Sequence, residues 1–164
     1  MALITTIGAT NADSYATLAE YTARASALGW TLADTDAANE INLRRAAVVI
    51  DETYSFIGMK QYQFQSRSWP RLVRQIVDDW PINPDTIPDA VKFAQMEMAF
   101  LLQGGADPFA TYDGAVKRKR EKVDVIEEET EYTGGKGRPM FTGVDRILRD
   151  YITSGPGQVK AVRG

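Results

Sequence analysis

Apolar residues recur along this chain with two different periods, and the change of period divides it. In "TLAEYTARASALGW", Leu18, Tyr21, Ala25 and Leu28 fall on one face at helical spacing. Thr17 and Glu20 supply the T-x-x-E pattern of a capping box, and Gly29 suits the left-handed turn that ends a helix. "TDAANEINLRRAAVVIDETY" predicts a longer second helix starting near Asp34 or Thr35. Two stripes compete on it, Ala38–Ile41–Val48 and Leu43–Ala47–Ile50–Tyr54, so contacts are expected on more than one side. Arg44 and Arg45 there suit either a snorkelling role past the core or a partner. "IPDAVKFAQMEMAFLLQGG" has the strongest helical pattern, with Val91, Ala94, Met98, Leu101 and Leu102 in one stripe and Phe93 and Phe100 widening it. Pro88 suits its first position, Asp89 complements the dipole, and Gly104 and Gly105 end it; this should be the central helix. "TGVDRILRDYI" predicts a last helix capped by Thr142 and Asp145, with Val144, Ile147, Leu148, Tyr151 and Ile152 inward.

Between the second and third helices the texture differs. Pro70, Pro81 and Pro84 forbid a long helix, so residues 55–88 read as an ordered, irregular crossing with a short helical turn near Leu72–Val77. Trp69, Trp80, Tyr62 and Phe64 lie in it close to Arg67, Arg71 and Arg74. Such residues suit base stacking beside cations. The preferred reading is that Trp69, Pro70, Arg71 and Trp80 anchor the loop to the core.

A period of two returns in "AVKRKREKVDVIEEETEYTGG", where Val123 and Val125 alternate with Lys122 and Asp124. Lys117, Arg118, Lys119, Arg120 and Lys122 precede Glu127, Glu128, Glu129 and Glu131. Three readings of this block compete. Its strands pair opposite charges in a solvated hairpin, its basic half follows a phosphate backbone, or the two signs are complementary between subunits. The last best explains why both signs sit together.

The pattern as a whole predicts a mainly α fold: a small bundle of three or four helices, a short charged β-hairpin or extended arm, and a flexible C-terminal tail. Residues 1–110 form the helical core, 111–139 the charged arm and loop, and 140–164 the last helix and tail. "GGKG" at 134–137 lacks the spacing and hydroxyl of a phosphate loop and reads as a turn. Asp78, Asp79 and Asp85 lack the spacing of a cation loop.

Composition narrows the chemistry. The 164 residues contain neither cysteine nor histidine. Disulfides, thiolate zinc sites, cysteine nucleophiles and the Ser-His-Asp triad are thereby excluded. The expectation is a protein that is not an enzyme, with no catalytic, metal or cofactor residues. The formal net charge of −3 argues against general avidity for nucleic acid. No signal-peptide pattern opens the chain and no apolar run approaches the ~20 residues of a membrane span, so a soluble cytoplasmic product is expected.

The succession "NADSYATLAEYTARASALGW", "SRSWPR", "IPDAVKFAQMEMAFLLQGG", "GAVKRKREKV" and "VDRILRDYI" resembles a tailed-bacteriophage family over about Ser14 to Ile152. Its members are often labelled DnaT-like single-stranded-DNA-binding proteins, and they also resemble phage head–tail connector (adaptor, head-completion) proteins. The resemblance implies a virion structural protein of the neck, assembled in the host cytoplasm. It implies a ring, commonly a dodecamer of twelve subunits, bound to the portal protein and to a tail-side connector or tail protein. The genome would pass through its lumen without sequence-specific contact. The mixed-charge arm would then dock subunits and portal. The alternative is a phage replication accessory protein that binds single-stranded DNA through Lys117–Arg120 and the aromatic loop.

Overall fold

The computed structural model describes residues 2–74, 76–77, 80–110, 115–121, 128–133 and 140–154; for Ile76, 115–121, 128–133 and Ser154 it describes the backbone alone. Four helices appear: α1 (Leu18–Leu28), α2 (Asp36–Thr53), α3 (Asp89–Gln103) and α4 (Thr142–Leu148). Among the described residues there are eight short strands in four two-stranded antiparallel ladders. The result is a small, helix-rich mixed fold.

The local signals explain the helix ends. Thr17 and Glu20 close a reciprocal capping box on α1, and Gly29 ends it at φ 71°. The Thr35 side chain accepts from the Ala38 N–H and starts α2. Pro88 stands at the N-cap of α3, one residue before the position expected. At α4 the N-cap is Phe141 and no side chain caps it. Asp145, expected as a cap, instead accepts the Tyr54 hydroxyl at 2.7 Å, joining α4 to the end of α2.

α3 is the centre: α2 and α4 pack on it, and Val91, Ala94, Gln95, Met96, Met98, Ala99 and Leu102 are all buried. Of the two stripes on α2, that of Leu43, Ala47 and Ile50 faces the core, whereas Ile41 and Val48 are exposed. Leu28, expected inward on α1, is also exposed. Gly29 turns the chain directly after it, and Trp30 covers that flank by stacking on Phe100 at 4.7 Å.

The chain start is tied in by polar contacts. Gln95 is fully buried, and its Oε1 accepts the backbone N–H groups of Tyr15 and Ala16, both at 2.9 Å. Its Nε2 donates to Ser14 Oγ at 2.7 Å and to the Leu43 carbonyl at 2.8 Å. Both donors and both lone pairs of the amide are thus used. Asp13 accepts the Ile4 N–H and pairs with Arg44, each at 2.7 Å, so Arg44 serves this loop.

Among its described residues the crossing is extended, with strands at Arg71–Leu72 and Ile76–Val77 where a helical turn was expected. β1 (Ser55–Phe56) pairs with β8 (Ile152–Ser154), which places Ile152 in a strand and not on α4. β2 (Met59–Lys60) pairs with β3 (Arg71–Leu72), and β4 (Ile76–Val77) with β5 (Trp80–Pro81). β6 (Ala115–Glu121) and β7 (Glu128–Thr133) form the charged hairpin. The tail was expected from Thr153, but Thr153 and Ser154 belong to β8; residues 155–164 lie outside the described residues.

Candidate nucleic-acid interface

From Ser55 to Val77 the chain carries four basic residues, Lys60, Arg67, Arg71 and Arg74, and no acidic one, although the protein as a whole is net negative. The fold turns this stretch into a braced platform. Gln65, buried, accepts the Tyr62 N–H at 3.0 Å and donates to the Arg67 and Pro70 carbonyls at 2.9 and 3.0 Å. Ser66 Oγ donates to the Ala12 carbonyl at 2.6 Å. Trp69 is 1% exposed and packs edge-on against Phe56 and Tyr151, and a cis peptide joins it to Pro70. The Arg71 guanidinium donates to the carbonyls of Ile57, Gly58 and Ser68 at 2.7, 2.6 and 3.1 Å. Burial lowers its pKa from the ordinary arginine value, which leaves it cationic at neutral pH.

Beneath the platform Asp51 of α2 gathers the Tyr15 hydroxyl, the Ser68 N–H at 3.3 Å and Arg67 at 3.4 Å. Burial raises the Asp51 pKa, against the opposing pull of Tyr15 and Arg67. Burial, and then the Asp51 charge, raises that of Tyr15. Arg67 Nε and Trp69 Nε1 have no hydrogen-bond partner among the described residues. The crevice they line with Gly8, Tyr15 and Ile87 is too narrow to admit water, so this cluster is a brace and not a ligand site.

The outward side chains are a different population. Phe64 is 73% exposed and Trp80 is 75% exposed; Met59, Tyr62 and Leu72 are exposed as well. Trp80 is therefore no anchor, contrary to the expectation from its sequence neighbours. It sits on β5, which pairs with β4 in a two-residue ladder and is exposed at both positions. Tyr62 lies over Gly8, where an added Cβ would meet its ring at 2.5 Å. An open groove of about 840 Å³ runs beside β2 and β3, lined by Gly58, Met59, Leu72, Val73, Arg74, Ile82 and Pro84. Trp80 is two residues from Ile82 in the groove wall.

The hairpin treats its charges differently. Its register sets Arg118 opposite Glu131 and Arg120 opposite Glu129. Opposite residues share a face and alternate residues along a strand return to it, so these four share a face, the two arginines across from the two glutamates. Lys119 faces Thr130, and Glu121 faces Glu128. Lys117 lies at the irregularity between Val116 and Arg118. The two strands carry four basic and four acidic residues, so opposite charge is available within one chain. Lys122 and Glu127 lie outside the described residues, as do "GGKG", Asp78 and Asp79. Asp85 accepts from Gln61 at 2.7 Å. Among the described residues no group of three or more carboxylates is placed to hold a metal ion, and no helix is long and apolar enough to cross a membrane.

A family model described as "Putative DnaT-like ssDNA binding protein" matches residues 1–164. The chain belongs to this family. Comparison with curated proteins and with solved structures gave no match. Sequence reasoning placed the platform's aromatics in one segment but missed Met59, Leu72 and the groove, and missed Gln95 altogether. The groove had one legible signal, the absence of carboxylates over 55–77.

Proposed function

We propose that this protein binds single-stranded DNA through the platform of residues 59–82. The carrying observation is that Phe64 stands three-quarters exposed on the long acid-free stretch of an acidic chain, with Trp80, equally exposed, three residues beyond its end and after Asp78 and Asp79. Large aromatics held out of the core lose apolar burial that other tryptophans gain. Unpaired bases recover it by stacking, and nearby cations meet the phosphates. The family description supports the same reading. The reading makes the chain a replication accessory protein with no chemistry of its own. An electrophoretic assay tests it: a labelled single strand should be retained when challenged with the same sequence as duplex, and displacement by duplex at equal concentration refutes it.

A second reading is favoured by one further observation. Ile41 and Val48 are exposed on α2, while Phe109 and Met140 are exposed at the two roots of the hairpin segment. Two unlike apolar faces on one small chain suit a head-to-tail ring, in which each subunit meets two neighbours differently. Such a ring would suit a virion-neck adaptor seated on a portal, with a tail-side partner below. Mass photometry with the portal from the same genome tests it: a ring-sized increment supports the adaptor, and an unchanged portal mass discards it.

A further inference from the structure

We infer that the strand's bases lie in the Met59–Leu72–Ile82 groove and on Trp80 and Phe64, so that stacking and apolar contact hold the DNA while the Lys117–Arg120 block takes no part. This rests on the single-stranded-DNA reading and assigns its site and its physical regime. The groove has side-chain walls of Met59, Leu72, Val73, Ile82 and Pro84, and among the described residues that line it Arg74 is the one charged side chain. Such walls accept the faces of any base and cannot read a Watson–Crick edge, which predicts binding tolerant of sequence and blind to duplex, whose bases are already stacked. Arg74 and Lys60 bring positive charge to its border, which complements a phosphate backbone. Arg71 is engaged with three carbonyls and Arg67 with Asp51, while Lys60 gives a single 3.3 Å bond to the Gln65 carbonyl.

The hairpin is the obvious rival, since it holds the densest basic run. Its register removes that advantage. Arg118 and Arg120 stand across from Glu131 and Glu129, and the described strands sum to zero charge. A backbone drawn to the basic strand would meet the acidic one about 5 Å away. Electrostatic attraction is therefore small there.

The inference has a numerical signature. Each phosphate neutralised on a single strand contributes about −0.7 to the slope of log affinity against log salt. Two cations, Lys60 and Arg74, give about −1.4, and the hairpin's four would add about −2.8. Fluorescence anisotropy of a labelled oligothymidine between about 50 and 200 mM salt measures the slope. We expect about −1.5 or shallower with the intact protein. Trp80→Ala and Met59→Ser should each lower affinity, the former by about 5- to 150-fold, the range of base–aromatic stacking. Both side chains are largely exposed, so both variants should fold. Replacing Lys117, Arg118, Lys119 and Arg120 together by Gln should change affinity by less than about twofold. A slope near −4, with binding lost on that replacement, overturns the inference and leaves the single-strand reading standing. Binding to no strand at about 50 mM salt overturns both. Retained binding in Trp80→Ala and Met59→Ser, with loss of self-association in the same variants, makes the groove a protein interface and overturns the inference alone.

Discussion

The side-chain oxygen of Gln95 accepts the backbone N–H of Tyr15 at 2.9 Å, across 80 residues of chain. The same amide satisfies Ala16, Ser14 and Leu43. Gln95→Leu keeps the volume and orphans a set of buried polar groups at once. Each orphan costs about 1–3 kcal/mol, so a loss of about 3 kcal/mol or more is expected. Urea denaturation checks it: the midpoint should fall with the slope unchanged, and a shift under about 1 kcal/mol would show that water replaces the amide.

Three buried tyrosines set an alkaline limit. Tyr21 is pushed up to about 12, first by burial and then by the charge of Glu97. Tyr54 is raised further by burial and by its bond to Asp145, and Tyr15 is raised by burial and Asp51. A phenol whose folded pKa lies above its unfolded value of ~10 stabilises fully below that value and loses its contribution as pH rises toward the folded one. Stability should therefore hold to about pH 10 and then fall through about pH 12. Phenolate absorbance, followed with circular dichroism, should show these three ionising together with unfolding.

Acid acts through Glu20. Burial raises its pKa, but the Lys92 ammonium at 2.7 Å and the Thr17 cap outweigh that and hold it below the usual carboxylate value. Its stabilisation is present above the unfolded value near 4.3 and is lost as pH falls through the lower folded one. Glu20→Gln should flatten acid unfolding in that window, by less than about 1 kcal/mol because the pair is partly exposed.

Gly58 sits at φ 72°, and a Cβ there would stand 2.2 Å from the Leu72 carbonyl oxygen. Gly58→Ala combines a left-handed cost of about 1–2 kcal/mol with a clash against the β2–β3 ladder. The expected outcome is a lower melting temperature together with weaker oligonucleotide binding. Unchanged binding would separate the groove from the DNA.

Hairpin register can be read by charge exchange. Arg118→Glu with Arg120→Glu sets four carboxylates on one face and should weaken the hairpin by about 0.2–1 kcal/mol per pair. Adding Glu129→Arg and Glu131→Arg should restore it. Amide exchange of residues 115–121 and 128–133 distinguishes the two.

Much of the helical frame is legible because its signals are local. The capping box at Thr17, the Gly29 stop and the dense apolar stripe of α3 each depend on residues within a turn or two. Charged strands were expected within 116–132 and two are found there, but the period of two that suggested them, Val123 and Val125 against Lys122 and Asp124, lies outside the described residues. What escaped was long-range. Nothing near Gln95 shows that its amide will meet Tyr15, and nothing near Asp145 shows that Tyr54 will claim it from the helix cap. Trp69 and Trp80 have similar neighbours, each beside a proline, yet one is buried and the other exposed. Which tryptophan enters the core depends on the packing of Phe56 and Tyr151, and Tyr151 is more than 80 residues away from Trp69. The helical turn expected at 72–77 gave way to strand pairing, a choice made by the partner strands and not by the segment itself.

The bond between Tyr15 and Gln95 also orders events in time. At ~5–20 residues per second of synthesis, the chain's beginning waits about 4–16 s before its receptor has been made. During that interval α1 and α2 exist without α3, and the inward stripe of Leu43, Ala47 and Ile50 has nothing to cover it. The first sixteen residues therefore cannot complete their buried contacts until α3 has been made.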